Sequence, residues 1–364
     1  MVARKTGTSH DLIIHPGETI ADVLEERGIT QVELAVRAGV SPAYLSNVIS
    51  GKKDISAKLA LGLEYALGVK KSFWLNLQSN YELELLEVNI DNTITYEERL
   101  VRGDLKEVVS YLRKQEKIPA RESKEDSILS LRRVLQISNL SNLKDMIPAG
   151  AFRIASKNPV NESVLGAWIR LCQISGEGRT IFTKFDVKKL DNLIKELKSI
   201  MLDDEKNMQS DLRNVFEKYG IDFSVVMNFR GAPVQGYISY KGDMAYQIVL
   251  TIRGSFADIF WFTLFHELGH LVNGDVAKTS KFIDYEGESE EETAANTFAC
   301  DSLLSPDSYA DFLKKGDYSI SAIKVYARSQ NVKPFIVIGR LQKEKKLEYS
   351  AFSNYKVRYK WAID

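Results

Sequence analysis

Cysteine and histidine are both scarce in this chain of 364 residues, which has two cysteines and four histidines. Cys172 and Cys300 lack the CxxC spacing of metal and redox motifs and are too few for a disulfide framework, so the sequence favours a reducing compartment over secretion. No stretch approaches the ~18 consecutive apolar residues of a membrane span, and the first residues contain no apolar run typical of a signal peptide. We therefore expect a cytoplasmic protein that does not associate with a membrane.

An excess of charge of either sign is also missing. The 49 lysines and arginines balance 49 aspartates and glutamates, so the whole molecule has no positive field that would attract nucleic acid or anionic lipid. Hydrophobic residues make up 44% of the chain and charged residues 27%, a composition typical of globular rather than disordered proteins. A chain of this length predicts two or three domains.

The first part of the chain predicts about five short helices and no strand. Thr30 can cap a helix that Gly39 ends, and Ser41 and Pro42 can cap and begin the next helix. Two short helices joined in this way form a helix-turn-helix. We assign residues 1–90 to an all-helical domain that contains this unit.

The hydrophobic periodicity changes along the rest of the chain. Residues 91–205 keep a helical, charge-laced pattern, which predicts a helical connector. Beyond it, short apolar or alternating stretches predict strands, and longer stretches predict helices. We assign residues 206–364 to an α+β domain with a C-terminal helical extension. The predicted strands are Ile221–Asn228, Val234–Tyr240 and Tyr246–Arg253, and the predicted helices are Asp258–Asn273, Glu291–Leu304, Ser321–Ser329 and Lys333–Lys343. We interpret the last two helices as a structural closure rather than a second helix-turn-helix.

Two of the four histidines stand four residues apart in the motif His-Glu-Leu-Gly-His. On a helix, residues i and i+4 share a face, so His266 and His270 can bind one metal ion while Glu267 lies beside it. Such a site holds Zn²⁺ with one coordination position open for water, and the adjacent glutamate takes the proton of that water. The motif therefore predicts a zinc site in which Glu267 is the general base. His10 and His15 have no neighbouring ligand, and we expect surface or capping roles for them.

A third ligand is expected in the acidic stretch that follows. At ~3.6 residues per turn, Glu292 lies on the face that the apolar residues of the next helix must bury. Glu291 is intermediate between that face and the polar one, so we choose Glu292 and keep Glu291 as the alternative. Asn296, one turn after Glu292, can hold a ligand in place by a hydrogen bond. The residue that stabilises the oxyanion is not identified by the sequence, and Tyr285 is only a candidate.

The motif at residues 266–270, together with Glu292–Ala299 (ETAANTFA) and Leu303–Pro306 (LLSP), resembles the ImmA/IrrE family of zinc metallopeptidases. The similarity extends to Ala151–Arg153, to Ala167–Arg170 and to Val332–Gln342, whereas Ser305 stands where the family commonly has methionine. The resemblance implies a thermolysin-like, zincin-like core and Zn²⁺ held by His266, His270 and Glu292. It also implies a protein substrate that is a regulatory protein, such as a repressor or an antitoxin.

The helix-turn-helix suggests a nucleic-acid contact for its second helix. In such units the second helix enters the major groove with its N-terminal residues toward the base edges. Asn47 can pair with adenine, and Ala43 offers only an apolar contact to a thymine methyl group. Residues at helix ends and in the following loop can bind phosphates. The predicted base-facing residues are Ser41, Ala43, Tyr44 and Asn47, and the predicted phosphate contacts are Gln31, Lys52 and Lys53.

The sequence around this unit, from His15–Ile20 (HPGETI) to Phe73–Gln78 (FWLNLQ), resembles HigA-type antitoxins of the Xre repressor class. The resemblance implies a lambda-repressor-like domain that binds operator DNA as a homodimer, and a toxin as a further partner. Pro42 and Ala43 occupy places where such proteins often have hydrogen-bonding base readers. A helix-turn-helix can also serve only to bind protein, and that alternative stays open.

These observations predict a multidomain chain of the class α + (α+β): a helix-turn-helix domain, a helical connector and a zincin-like metallopeptidase domain. We expect a DNA-binding regulator whose zinc-dependent endopeptidase cleaves a repressor or an antitoxin. The alternative is a non-proteolytic antitoxin or repressor in which the metal domain is a sensor or a structural module.

Overall fold

The structure is a computed structural model that describes residues 13–147, 160–203, 207–242, 245–252, 255–276, 281–283 and 289–360. The chain divides into two compact units. The N-terminal unit comprises Met1–Thr95, and the C-terminal unit comprises Tyr96–Asp364. The residues predicted as connector and those predicted as α+β domain both belong to the C-terminal unit.

The N-terminal unit is built from helices whose ends are set by capping residues. The helices are α1 (Pro16–Arg27), α2 (Gln31–Ala38), α3 (Pro42–Ile49), α4 (Ala57–Leu67) and α5 (Lys71–Val88). His15 Nδ1 accepts a hydrogen bond from Gly17 N at 2.9 Å, which confirms the expected capping role of this histidine. Thr30 and Ser41 cap α2 and α3 through their hydroxyl groups. Gly39 ends α2 in the left-handed conformation that glycine adopts without strain.

The core of the N-terminal unit is apolar and continuous. It contains buried apolar side chains from each of the helices α1 to α5, and the side chain of Trp74 in α5 is fully buried. Gly17 of α1 lies so close to α3 that a Cβ atom there would be 2.3 Å from the carbonyl oxygen of Val48. The helix-turn-helix is therefore held rigidly by the helices that flank it.

The C-terminal unit begins with a layer of helices. They are α6 (Tyr96–Asp104), α7 (Lys106–Lys114), α8 (Lys124–Leu135), α9 (Glu162–Ser175), α10 (Leu190–Leu202) and α11 (Met208–Lys218). The buried Glu98 joins α6 to α8, because its carboxylate receives Arg132 Nε at 2.9 Å and the amide of Leu140 at 2.9 Å. Helix α9 is buried over most of its length.

A four-stranded mixed sheet follows. Its strands are β1 (Ile221–Val225), β2 (Gly236–Gly242), β3 (Ala245–Leu250) and β4 (Lys281–Ile283), in the order β1-β3-β2-β4. Strand β3 is parallel to β1 and antiparallel to β2, and β4 is antiparallel to β2. The three predicted strands are present: β1 and β3 end earlier than expected, and β2 is shifted by two residues toward the C-terminus. Strand β4 was not predicted.

The remaining helices are α12 (Ala257–Asn273), α13 (Glu290–Leu303), α14 (Pro306–Lys315), α15 (Ile320–Ser329) and α16 (Pro334–Lys343). Among them, α12 packs against one face of the sheet. Phe223 and Ile238 of the sheet share a core with Leu264 and Leu268 of α12. On the other face, Gln247 Nε2 of β3 donates to the carbonyl of Cys172 in α9 at 2.8 Å. The sheet is therefore enclosed between α9 and α12.

The tail after α16, residues 344–360, returns to the beginning of α12. Trp261 Nε1 donates to the hydroxyl of Tyr359 at 2.8 Å, and Lys356 forms an ion pair with Asp258 at 2.9 Å. Helix α16 buries Phe335, Val337, Ile338 and Leu341. A helix with this buried surface packs as core, in agreement with its structural interpretation.

Candidate metal centre and nucleic-acid interface

Helix α12 presents the two motif histidines to the interior of the C-terminal unit. The helix is dense in large apolar residues, so it is buried on nearly all sides and ends at Gly274, which has a φ of 80°. His266 and Glu267 are buried, and His270 is completely enclosed. Buried imidazole and carboxylate groups require polar partners.

The structure brings His266, His270 and Glu292 to one point. Their candidate ligand atoms all lie within 4.8 Å of one another, and the two Nε2 atoms are 3.0 Å apart. Glu292 places Oε2 3.2 Å from His266 Nε2 and Oε1 3.5 Å from His270 Nε2. In the part of the chain that the structure describes, this is the one group of three histidine, cysteine or acidic residues so arranged.

Helix α13 explains why Glu292 rather than Glu291 occupies this place. Glu292 is 8% exposed and faces α12 along with Ala295 and Ala299, whereas Glu291 is exposed. Gly269 of α12 permits the approach, since a Cβ atom at that position would be 3.0 Å from the Cα of Ala295. The close crossing of two helices therefore carries the carboxylate to the imidazoles.

Each imidazole has a second contact that orients its ring. His266 Nδ1 lies 3.1 Å from Asn296 Oδ1, and His270 Nδ1 lies 2.8 Å from Asp275 Oδ2. These contacts direct both Nε2 atoms toward the common point, as outer partners of metal-binding histidines do. The contact of Asn296 was predicted from the sequence, whereas that of Asp275 was not, although an acidic residue directly after the helix-ending Gly274 is a usable signal.

The charges at this centre are strongly coupled. Burial alone would raise the pKa of Glu292, but the hydrogen bonds from His266 and His270 outweigh it and lower the pKa to about 2. Burial would likewise lower the pKa of His270, yet its contacts with Glu292 and Asp275 raise that pKa. The carboxylate is therefore ionised and available as a ligand throughout the physiological range.

The donor set suits zinc. Two imidazole nitrogens and one carboxylate oxygen on two helices form a three-ligand set that leaves a fourth position for water or substrate. Glu267 follows His266 directly and is fully buried, with its carboxylate against strand β2 at Gly236. Tyr285, the candidate oxyanion donor, lies outside the described residues, as do His10 and the segment Ala151–Arg153.

In the N-terminal unit, α2 and α3 place the predicted nucleic-acid contacts on or near the surface. Ser41 Oγ accepts from the amide of Tyr44 at 3.2 Å and so caps α3. The hydroxyl of Tyr44 donates to Ser56 Oγ at 3.2 Å, and Lys53 Nζ stands 5.3 Å from the centroid of its ring. These contacts hold the side chain of Tyr44, a residue of α3, against Ser56, the residue that caps α4.

The other predicted contacts differ in exposure. Asn47 is half-buried, and its carbonyl accepts from the amides of Lys52 at 2.8 Å and Lys53 at 3.1 Å, so the loop after α3 is anchored to this residue. Gln31, Ala43 and both lysines are exposed. The helix-turn-helix therefore carries two fixed basic residues at one end of its second helix.

None of the helices in the described part of the chain has the length and apolar character needed to cross a membrane.

Comparison with known proteins concerns the first part of the chain. Residues 20–74 match the family model described as helix-turn-helix. These residues include α2 and α3 and the turn between them.

Relatives with similar sequences come from two bacteria. The chain is 43% identical over 70 residues to virulence-associated protein A' of Dichelobacter nodosus, which covers 19% of this chain and 61% of that protein. It thus spans less than two thirds of that relative. It is 33% identical over 75 residues to virulence-associated protein I of the same organism, covering 20% of this chain and 69% of the relative. A similarity of 29% over 76 residues links it to the uncharacterized HTH-type transcriptional regulator YddM of Escherichia coli, covering 21% of the chain and 81% of YddM.

Solved structures similar to this chain include two antitoxins. The antitoxin HigA of Pseudomonas aeruginosa, solved with the higBA promoter, is 32% identical and covers 23% of this chain and 97% of its own, with a TM-score of 0.21. An addiction module antidote protein of the HigA family from Coxiella burnetii is 30% identical, covers 23% of this chain and 96% of its own, and has a TM-score of 0.21.

Proposed function

Because the chain belongs to the helix-turn-helix family through residues 20–74, we propose that it is a DNA-binding regulator whose C-terminal unit is a zinc-dependent endopeptidase. The proposed substrate is a regulatory protein, a repressor or an antitoxin. The observation that carries the peptidase proposal is the convergence of His266, His270 and Glu292 within 4.8 Å, with Glu267 beside them on the same helix.

The proposed division of labour follows from the contacts. His266, His270 and Glu292 would hold the metal, and Asn296 and Asp275 would orient the two imidazoles. Zinc held by these residues would supply Lewis-acid chemistry: it would polarise a peptide carbonyl and make a water molecule more acidic. Glu267 would accept a proton from that water and pass it to the leaving amine, the work of a general base and then a general acid.

For the N-terminal unit we propose binding to operator DNA through α3. This proposal is supported by the family match and by the sequence similarity to a protein described as an HTH-type transcriptional regulator. Asn47 would read a base in the major groove, and Lys52 and Lys53 would bind phosphates near the end of α3. A toxin is a further proposed partner, and we propose that the protein acts as a homodimer, because paired half-sites demand two copies of the unit.

The peptidase proposal is tested with Glu267→Gln. This change removes the proton acceptor and leaves the three metal-binding side chains in place, so zinc content should stay that of the wild type while cleavage is lost. The purified proteins are loaded with zinc and incubated with the repressors and antitoxins encoded beside the gene, and the products are identified by mass spectrometry.

A result in which neither protein cleaves any of these candidates, although both bind zinc, would favour the non-proteolytic alternative. The same holds if the Glu267→Gln variant controls transcription as the wild type does. The matched control is Glu290→Gln, an exposed glutamate at the first position of α13, for which we expect wild-type cleavage.

A further inference from the structure

The first residue of strand β2 lies against the side chain of Glu267. A Cβ atom at Gly236 would be 1.8 Å from Glu267 Oε1, 2.4 Å from its Cδ and 2.8 Å from its Cγ. Gly236 does not have a positive φ, so the backbone conformation does not demand glycine here. The space that a side chain would need is occupied by the glutamate.

The strand cannot retreat from Glu267 without breaking contacts on both sides. Gln235 Oε1 accepts a hydrogen bond from Thr263 Oγ1 at 3.1 Å, and Thr263 lies one turn before Glu267 on α12. On the opposite face of the sheet, Tyr237 is fully buried against Trp168, with ring centroids 6.3 Å apart. The backbone at Gly236 is thus fixed between α12 and α9, while the glutamate side chain has rotatable bonds. A methyl group added at Gly236 displaces the carboxylate rather than the strand.

We propose that Gly236 is a positioning residue. Because Gly236 has no side chain, the Glu267 carboxylate can pack against the backbone of β2, and this contact determines the position of the carboxylate relative to His266 and His270. The inference rests on the proposed peptidase function for its kinetic consequence, but the contact itself can be tested without turnover. It assigns a role to a residue outside the histidine motif, on a different element of the fold.

The kinetic consequence is a selective loss of turnover. Misplacement of a reacting group by about 1 Å costs about 100-fold in rate. The three atoms nearest to the added Cβ all belong to Glu267, and none belongs to the proposed metal ligands His266, His270 and Glu292. The Gly236→Ala variant should therefore lose about 100-fold in kcat, while KM and zinc affinity stay within about twofold of the wild type.

The matched control is Gly103→Ala. Gly103 lies in α6 with nothing within 4 Å of the position of an added Cβ atom, so the same substitution there meets no neighbour. Zinc titration, kcat and KM are measured for the wild type and both variants. A Gly236→Ala protein with wild-type kcat overturns the inference, and so does one that loses zinc affinity as much as turnover.

A double-mutant cycle tests the contact in the folded protein. Gly236→Ala should lower the melting temperature clearly in the wild-type background and at most half as much in the Glu267→Ala background, where the colliding carboxylate is gone. If Gly236→Ala alone does not fold, the double variant should recover folding and zinc binding. Equal destabilisation in both backgrounds overturns the inference. A wild-type protein that binds zinc but cleaves nothing contradicts the peptidase proposal instead, and the cycle still decides the contact.

Discussion

At the scale of single residues, the candidate metal centre is a set of buried groups that stabilise one another. Two imidazoles and one carboxylate meet at a point, and each imidazole has an oxygen atom behind it. An uncompensated charge in such a place is costly, so each member depends on the others. Removing one group should therefore change metal affinity far more than the loss of a single surface contact would.

The first prediction distinguishes the two neighbouring glutamates. Glu292→Gln should lower zinc affinity by more than about 100-fold, a loss above that seen for outer partners of metal ligands. Glu291→Gln should stay within about twofold, because Glu291 is exposed while Glu292 faces the imidazoles. Competition titration with a chromogenic chelator measures both values. Equal losses for the two variants would contradict the ligand assignment.

The second prediction concerns Asp275, which lies behind His270. Asp275→Asn keeps the shape of the side chain and removes the charge that orients the ring, so zinc affinity should fall by about 10- to 100-fold. Asp301→Asn is the matched control, since Asp301 is an exposed aspartate on α13. The same chelator competition applies. An affinity for Asp275→Asn equal to that of the control would show that the contact at 2.8 Å does not tune the ligand.

At the scale of secondary structure elements, α3 and the loop after it determine the proposed contact with DNA. The amides of Lys52 and Lys53 donate to the carbonyl of Asn47, so the proposed base reader and the two proposed phosphate contacts belong to one hydrogen-bonded segment. The cap at Ser41 and the close approach of Gly17 to α3 hold this segment in place.

The third prediction follows from this segment. Asn47→Ala combined with Lys52→Ala removes a base contact, for which a good bidentate pair contributes about 1–3 kcal/mol, and one phosphate contact. Affinity for the promoter upstream of the gene should fall at least about 10-fold. Lys70→Ala serves as the control of equal charge outside α2 and α3. Gel-shift titration at fixed salt measures the affinity for the promoter fragment. An affinity equal to that of the wild type would contradict the DNA-binding proposal.

These elements also show which structural features could be predicted from the sequence. Thr30, Gly39 and Ser41 act locally, through hydrogen bonds within one turn, so the bounds of α2 and α3 could be predicted. Helix α14 was not predicted, because the proline with which it begins, Pro306, is equally suited to follow the end of the preceding helix. Strand β4 has three residues and no pattern of its own, and its place follows from pairing with β2. Likewise the contact of Gly236 with Glu267 joins segments that are distant in the sequence, so no local sequence pattern predicts it.

At the scale of the whole molecule, the chain contains two units with separate cores. The proposed metal ligands all lie in the C-terminal unit, and the family match lies in the N-terminal unit. Metal binding should therefore stabilise the C-terminal unit, which contains the proposed ligands, and leave the stability of the N-terminal unit unchanged.

The fourth prediction is a two-step thermal unfolding in which zinc moves only one step. A ligand present at about 100 times its Kd stabilises the folded state by about 2.7 kcal/mol, which raises the melting temperature of a unit of this size by about 5 °C or more. Calorimetry with and without a chelator measures both steps. His266→Ala should abolish the shift, and a zinc-dependent shift of the N-terminal step would contradict the prediction.

The tail that returns to α12 has a consequence for the order in which the protein becomes complete. Trp261 and its partner Tyr359 are separated by 98 residues of chain, so the beginning of the histidine-bearing helix gains this neighbour only after nearly all of the C-terminal unit has been synthesised. Domains fold as units during synthesis, the N-terminal one first. The helix-turn-helix can therefore fold on the ribosome well before the beginning of the histidine-bearing helix gains Tyr359 as a neighbour, so the proposed DNA-binding unit is complete before the proposed peptidase unit.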